Sequence, residues 1–436
     1  MRLLPTLPRE TGQTVVNSMS RTSSLNFNKV HNCLHLDTRS RNSPDPMGRD
    51  CRILESSTSA YLPSPHDGVG VGIIQMSQIV VNASFVSKRP TGLSIYTRNV
   101  VPHLSDLQPI VLTPEAIAPH DAHPQVPPTM TPDQGSRGHA RRLVWTQTRL
   151  LEIYRQSHAP LLFTPVPEAP LFAQCRYVVT VHDLIPLRFP KRWSPLTPYF
   201  RHYVPAVLRQ AQHILCNSHT TARDVCDRFS IPAQRLTPIP LACDTDHFRF
   251  LDLPTQPYFL YIGRYDPYKN LGRVVAALGA MPRSLACELW IAGSPDDRYQ
   301  PALQQQADEL GVGDRLRWLD YVPYDQLPVL LNQAIALVFP SLWEGFGLPV
   351  LEAMACGTPV ITSNLSSLPE VAGDAALLVD PYDTGAIAQA MQTMVSDDQM
   401  RSQLRQAGLA RAQLFSWEKT GAATQAILRD CLDHLA

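Results

Sequence analysis

Two glutamates with seven residues between them, Glu344 and Glu352, flank a glycine-rich turn, Glu344-Gly345-Phe346-Gly347-Leu348-Pro349. The apolar run ending at Phe339-Pro340 reads as a buried strand. The run after the turn reads as a helix with Pro349 in its first turn, where a missing N–H costs nothing. The amides of Phe346, Gly347 and Leu348 would then point out of the helix N-terminus, a ready site for an anion. Glycine lets a ligand approach the backbone closely. A carboxylate accepts side-by-side hydrogen bonds and so suits the vicinal hydroxyls of a ribose or hexose. Beside a diphosphate it would be repelled, so each glutamate is expected to face a sugar. Two glutamates alone read more readily as a helix-terminus charge and a surface charge. The turn between them shifts the reading to a ligand site.

A second signal is YFLYIGRYDPYKNL, Tyr258 to Leu271. A buried strand delivers Gly263 and Arg264, and Lys269 follows after a short turn. Two cations at the carboxyl end of a strand suit a diphosphate, Arg by bidentate contact and Lys as a point charge. Taken alone, two solvated charges in a turn are an equal reading.

The elements that must position these groups alternate. Strands are expected at Ile79–Phe85, Leu161–Phe163, Tyr177–Val181 and His213–Cys216, with amphipathic segments Leu93–Leu104 and Tyr199–Ala211 between them. A Pro-containing linker, DLPTQP, separates these from strands at Tyr258–Ile262, Glu288–Ala292, Leu316–Trp318, Ala336–Phe339 and Pro359–Thr362. Alternation of this kind gives parallel sheets covered on both faces. The fold class is therefore α/β, with two doubly wound, Rossmann-like domains facing a cleft. The expected division is 76–250 for the first domain, 251–416 for the second and a final helix in 417–436. Residues 114 to 140 are polar and Pro-rich and read as a long loop. Residues 1–75 are rich in Ser, Arg, Asn and Pro without sustained apolar periodicity, and read as a disordered tail or a misassigned start before Met76.

Composition narrows the classes. The chain has 436 residues, enough for two domains, with 44% apolar and 17% charged residues. Net charge is zero, which argues against a nucleic-acid partner. Nine scattered cysteines show neither a C-x-x-C nor zinc spacing and read as reduced thiols of a cytoplasmic protein. No stretch is long and apolar enough for a spanning helix. A peripheral contact with the inner face of a membrane is left open.

These segments resemble the family-4 (group 1) retaining glycosyltransferases of GT-B architecture, from about Met76 to the C-terminus. Glu344 and Glu352 match that family's glutamate pair, and Gly263, Arg264 and Lys269 its Gly-Arg-…-Lys turn. TVHDLIPLRFP (Thr180–Pro190), ILCNSHTTARDV (Ile214–Val225) and PIPLACDTDHF (Pro238–Phe248) extend the match. The resemblance implies that Glu352 holds the nucleotide ribose. It implies that Glu344 and the amides of Phe346, Gly347 and Leu348 hold the transferred sugar and phosphates. Arg264 and Lys269 would neutralise the leaving diphosphate, and His182 would reach the donor sugar across the cleft. For His182 alone, a structural role in its loop is an equal reading. Gly92 matches a family Gly-rich loop near the donor phosphates and acceptor; by composition it is a turn before a helix.

The implied reaction transfers a hexosyl group from a nucleoside diphosphate sugar to an acceptor hydroxyl. GDP-mannose is the first expectation for the donor and a UDP-hexose the second. The acceptor is expected to be a surface polysaccharide, lipopolysaccharide or glycolipid. No cofactor or metal is expected. Asp244-Thr245-Asp246 has the spacing of a metal-binding D-x-D but stands where the family has an interdomain segment. Gly68-Val69-Gly70-Val71-Gly72 hints at a dinucleotide loop but has no strand before it. A GT-B-fold epimerase or phosphorylase, or a non-catalytic sugar-nucleotide binder, are the alternatives.

Overall fold

The computed structural model describes residues 78–88, 91–191 and 194–434. The tail expected over 1–75, with its glycine run, lies outside the described residues. Six strands form a first sheet: β1 (Ile79–Asn82), β2 (Ile110–Leu112), β3 (Leu161–Thr164), β4 (Tyr177–Val181), β5 (His213–Cys216) and β6 (Leu236–Pro238). Their order is β2-β1-β3-β4-β5-β6, all parallel. A second sheet holds β7 (Tyr258–Ile262), β8 (Glu288–Ala292), β9 (Leu316–Asp320), β10 (Ala336–Phe339), β11 (Val360–Ser363) and β12 (Leu377–Val379). Its order is β12-β11-β10-β7-β8-β9, again all parallel.

The winding direction reverses between β1 and β3 in the first sheet and between β7 and β10 in the second. Both sheets are therefore doubly wound, and each has a switch point where ligands bind past the strands' carboxyl ends. The central strands are buried on both faces, which is why they are continuous apolar runs: Val80, Leu162 and Val179, or Phe259, Leu289 and Val338, are all inaccessible.

Several boundaries depart from the sequence pattern for local reasons. β1 stops at Asn82 rather than Phe85, because the Asn82 Oδ1 accepts from the Ser84 N–H at 3.3 Å and the Ser84 hydroxyl at 2.8 Å and turns the chain. The helix after it starts at Gly92 and tightens into a 3-10 turn from Val101 to Leu107, with Pro102 near its start. The expected loop over 114–140 ends early, because a helix runs from Gly135 to Gln147. Gly135 and Gly138 are poor helix formers and masked it. The last helix, Trp417–Asp433, returns to the first half of the chain. There Thr420 Oγ1 donates to the Pro240 carbonyl at 2.7 Å and Gln425 Nε2 to Asp106 Oδ2 at 3.1 Å. No helix among the described residues is long and apolar enough to cross a membrane.

Candidate active site

β7 and β10 are neighbours at the second switch point, and both signatures follow their carboxyl ends. β7 runs into Gly263 and Arg264, and Lys269 closes the turn Pro267–Lys269. β10 leads through Glu344 to the helix Leu348–Ala355. Gly347 caps that helix with φ 113°, a conformation that favours glycine. Ser367 Oγ donates to the carbonyls of Glu344 (3.0 Å) and Phe346 (2.8 Å), which pins the turn. The amides of Phe346, Gly347 and Leu348 find no acceptor among the described residues. They remain available to an anion.

Both predicted cations carry a carboxylate partner. Lys269 Nζ donates to Glu344 Oε1 at 2.7 Å. Arg264 donates to Asp266 Oδ2 through Nε at 2.7 Å and through Nη2, and its Nη1 has no acceptor among the described residues. The Arg264 side chain is 67% exposed, so its outer edge is open to a ligand. Asp266 is fully buried and also receives Lys191 from the first half of the chain. Burial would raise its carboxyl, but the hydrogen bonds from Lys191 and Arg264 prevail and hold it below its ordinary value.

Glu352 is different. It is half-buried and has no partner among the described residues. Burial pushes its carboxyl up to about 7. Cys243 and Tyr324 both feel its charge.

From the first sheet, β4 delivers His182 and Asp183. Burial pushes the His182 imidazole down to about 4. Its Nε2 stands 2.9 Å from the Pro165 carbonyl, which can only accept. The neutral ring therefore donates from Nε2 and keeps Nδ1 as an open acceptor. Burial raises the Asp183 carboxyl; the Ile185 amide opposes this, and the charges of Glu344, Lys269 and Arg264 all reach it. Gly92 is the exposed first residue of its helix, and the neighbouring Leu93 lines the cleft.

The two halves touch tightly at this point. A side chain at Gly345 would bring its Cβ to 1.9 Å from the His182 carbonyl oxygen. Ser218 Oγ donates to the Gly345 carbonyl at 2.7 Å. Glu370 caps the helix His219–Phe229 from the other half, accepting from the amides of His219 (2.8 Å) and Thr220 (2.7 Å). The Arg188 guanidinium stacks 3.3 Å over the Trp343 ring.

A cleft of about 700 Å³ joins His182, Asp183 and Arg264 to His139 and Glu168. A neighbouring cavity of about 780 Å³ joins Arg264 to Lys191, Phe189 and Tyr268. Lys269, Glu344 and Glu352 line neither. The sequence pattern singled out neither His139, Arg142 nor Glu168; Asp183 lay within the matched segment TVHDLIPLRFP, beside His182, and was passed over. Asp244 turns inward on its own loop, its Oδ1 accepting from the amides of Asp246 (3.1 Å) and His247 (3.2 Å).

Two doubly wound sheets with their switch points at a shared cleft define an architecture of the GT-B type. Residues 244–411 match the family described as glycosyl transferases group 1, and residues 90–247 match glycosyltransferase family 4. The chain is 33% identical over 302 residues to the O-antigen chain mannosyltransferase B of Escherichia coli, covering 66% of this chain and 76% of that one. It is 30% identical to the O-antigen chain mannosyltransferase RfbU of Salmonella typhimurium, over 47% of this chain and 57% of that one. Sucrose-phosphate synthase from Thermosynechococcus elongatus shares the fold, with a TM-score of 0.67 at 23% identity over 82% of this chain and 99% of that one. The chain belongs to the family-4, group 1 glycosyltransferases and is an enzyme of that class.

Proposed function

We propose that this glycosyltransferase moves a mannosyl group from GDP-mannose to a hydroxyl of a growing bacterial surface polysaccharide or glycolipid, with retention of configuration. The observation that carries the donor sugar is the 33% identity to an O-antigen chain mannosyltransferase across three quarters of that protein's length. The geometry supports the nucleotide part. Glu352 offers a carboxylate without a protein partner, suited to two ribose hydroxyls. The amides of Phe346, Gly347 and Leu348, the outer edge of Arg264 and the Lys269 ammonium suit a diphosphate.

The barrier lies in breaking the anomeric C–O bond while negative charge grows on the diphosphate. Fixed donors aimed at that charge lower it, and Arg264 is held in place by buried Asp266 before the donor arrives. The acceptor oxygen forms the new bond on the face the diphosphate leaves, and its proton passes to the departing phosphate oxygen. His182 Nδ1 is an acceptor for a hydroxyl of the donor sugar. In this reading the protein cations do the work of a metal, so excess EDTA leaves transfer intact. Loss restored by Mg²⁺ or Mn²⁺ would return attention to Asp244 and Asp246. The enzyme would act in the cytoplasm, at the inner face of the membrane where a lipid-linked acceptor is presented.

The test is nucleotide release from GDP-mannose and UDP-glucose in the presence of mannosides, with the product's anomeric configuration read by NMR. GDP release with an α-linked product supports the proposal. UDP release alone, or a β-linked product, would overturn the donor or the stereochemistry assigned here.

A further inference from the structure

The first sheet has its own switch point, and it is furnished. Past the carboxyl end of β3 the chain runs Pro165-Val166-Pro167-Glu168, beside His182 at the end of β4. Glu168 is 2% exposed, yet it faces the cleft of about 700 Å³ that reaches Arg264. Arg142 grips it through Nε at 2.6 Å and Nη2 at 2.7 Å, and places Nη1 at 3.0 Å from the Met130 carbonyl. Burial alone would raise the Glu168 carboxyl; Arg142, with smaller help from His139, outweighs it and holds the group at about 2. A buried ion pair of this kind seldom stabilises a fold more than apolar residues of the same volume would. Its place in the cleft wall calls for another reason.

That reason is His139. Its Nε2 lies 3.2 Å from Glu168 Oε1, and its ring meets Tyr199 edge-on at 4.7 Å and 77°. With Nε2 turned toward that carboxylate, Nδ1 is the ring nitrogen left for a ligand. Nδ1 has no partner among the described residues, and the side chain keeps 17% of its surface open. Leu93, Val166, Leu196 and Phe200 add an apolar wall to the same cleft. One oriented ring nitrogen beside an apolar wall fits a pyranose, which has hydroxyls at its edge and C–H groups on its faces.

We propose that His139, oriented by Glu168 and Arg142, hydrogen-bonds a hydroxyl of the acceptor sugar through Nδ1 and so helps select which glycan is elongated. The assignment rests on the transfer reaction proposed above. Glu168 and Arg142 are positioning residues, because they act through the ring.

The experiment uses the full chain with GDP-mannose as donor and the methyl glycosides of mannose, glucose and N-acetylglucosamine as acceptors. His139→Ala is expected to raise the acceptor KM by about tenfold, the loss of one oriented hydrogen bond. The donor KM and the slow hydrolysis of donor without acceptor stay at wild-type values. His139→Gln, which can still form a hydrogen bond, recovers part of the acceptor affinity. Glu168→Gln shifts acceptor KM in the same direction; where that variant fails to fold, the two His139 variants decide. An unchanged acceptor KM in His139→Ala overturns the assignment, as does an equal loss of donor hydrolysis. A wild type that hydrolyses donor but elongates none of the three glycosides overturns it too. A wild type that consumes no GDP-mannose overturns the donor reading and, with it, this one.

Discussion

Lys269 Nζ and Glu344 Oε1 stand 2.7 Å apart, with 16% and 10% of their side chains exposed. Each of the two carries a proposed role at the donor, yet they neutralise each other when no donor is present. A diphosphate arriving at Lys269 would compete with Glu344 for it and free Glu344 to face the sugar. Removing one partner of a shielded pair strands the other, at a cost of about 3 kcal/mol. Lys269→Ala is therefore expected to lower the melting temperature by several degrees, whereas Lys269→Met with Glu344→Gln recovers most of it. Neither variant transfers sugar. A melting curve for Lys269→Ala equal to the wild type would show that the pair contributes nothing to the fold.

Gly345 marks where the halves meet. With a Cβ at 1.9 Å from the His182 oxygen, even alanine cannot be held without parting them. Gly345→Ala is expected to fold, because one face of each sheet keeps a core of its own, but to lose most of its turnover. Small-angle scattering should report a larger radius of gyration. Wild-type turnover in this variant would mean that the contact is not kept during catalysis.

In its proposed role at the ribose, Glu352 would make donor binding depend on pH. Its carboxyl ionises near 7 in the folded chain against an ordinary value of 4.5. A raised carboxyl stabilises the fold below the unfolded value, and that contribution is lost as pH climbs through 7. Without donor, melting temperature is thus expected to fall between about pH 5 and about pH 7, with a smaller fall in Glu352→Gln. The proposed ribose contact needs the ionised form, so the donor KM is expected to run the other way, roughly tenfold higher at about pH 6 than at about pH 8. Glu352→Gln should have a high donor KM at both. A donor KM that is flat with pH in the wild type would contradict the role given to this glutamate.

Much of the fold could be read from the chain because its central strands are buried on both faces. Tyr258–Ile262 and Ala336–Phe339 are unbroken apolar runs, and their strands end where the two signatures begin. The strands that escaped, Ile110–Leu112, Leu236–Pro238 and Leu377–Val379, are each three residues long and lie at sheet edges. Short, half-covered strands do not build a pattern that a sequence window can detect. At the site, residue types and spacing pointed to Arg264, Lys269, Glu344 and Glu352, but not to their pairings. Asp266 joins Arg264 to Lys191, 75 positions from Lys191 in sequence, and the fold alone makes that contact. His139, Arg142 and Glu168 were invisible for the same reason. Their meeting depends on a helix hidden by two glycines and on a loop past β3.

In the proposed reaction Arg264 is the donor aimed at the diphosphate as its charge grows. The direct measurement is the turnover of Arg264→Ala at saturating donor, with circular dichroism to show that the chain is folded. An interaction that strengthens in the transition state acts on kcat rather than on KM alone. Loss of one such preorganised group costs about 2–4 kcal/mol, a fall in kcat of roughly thirty- to a thousand-fold. A folded Arg264→Ala with wild-type kcat, whatever its donor KM, would contradict this role of Arg264.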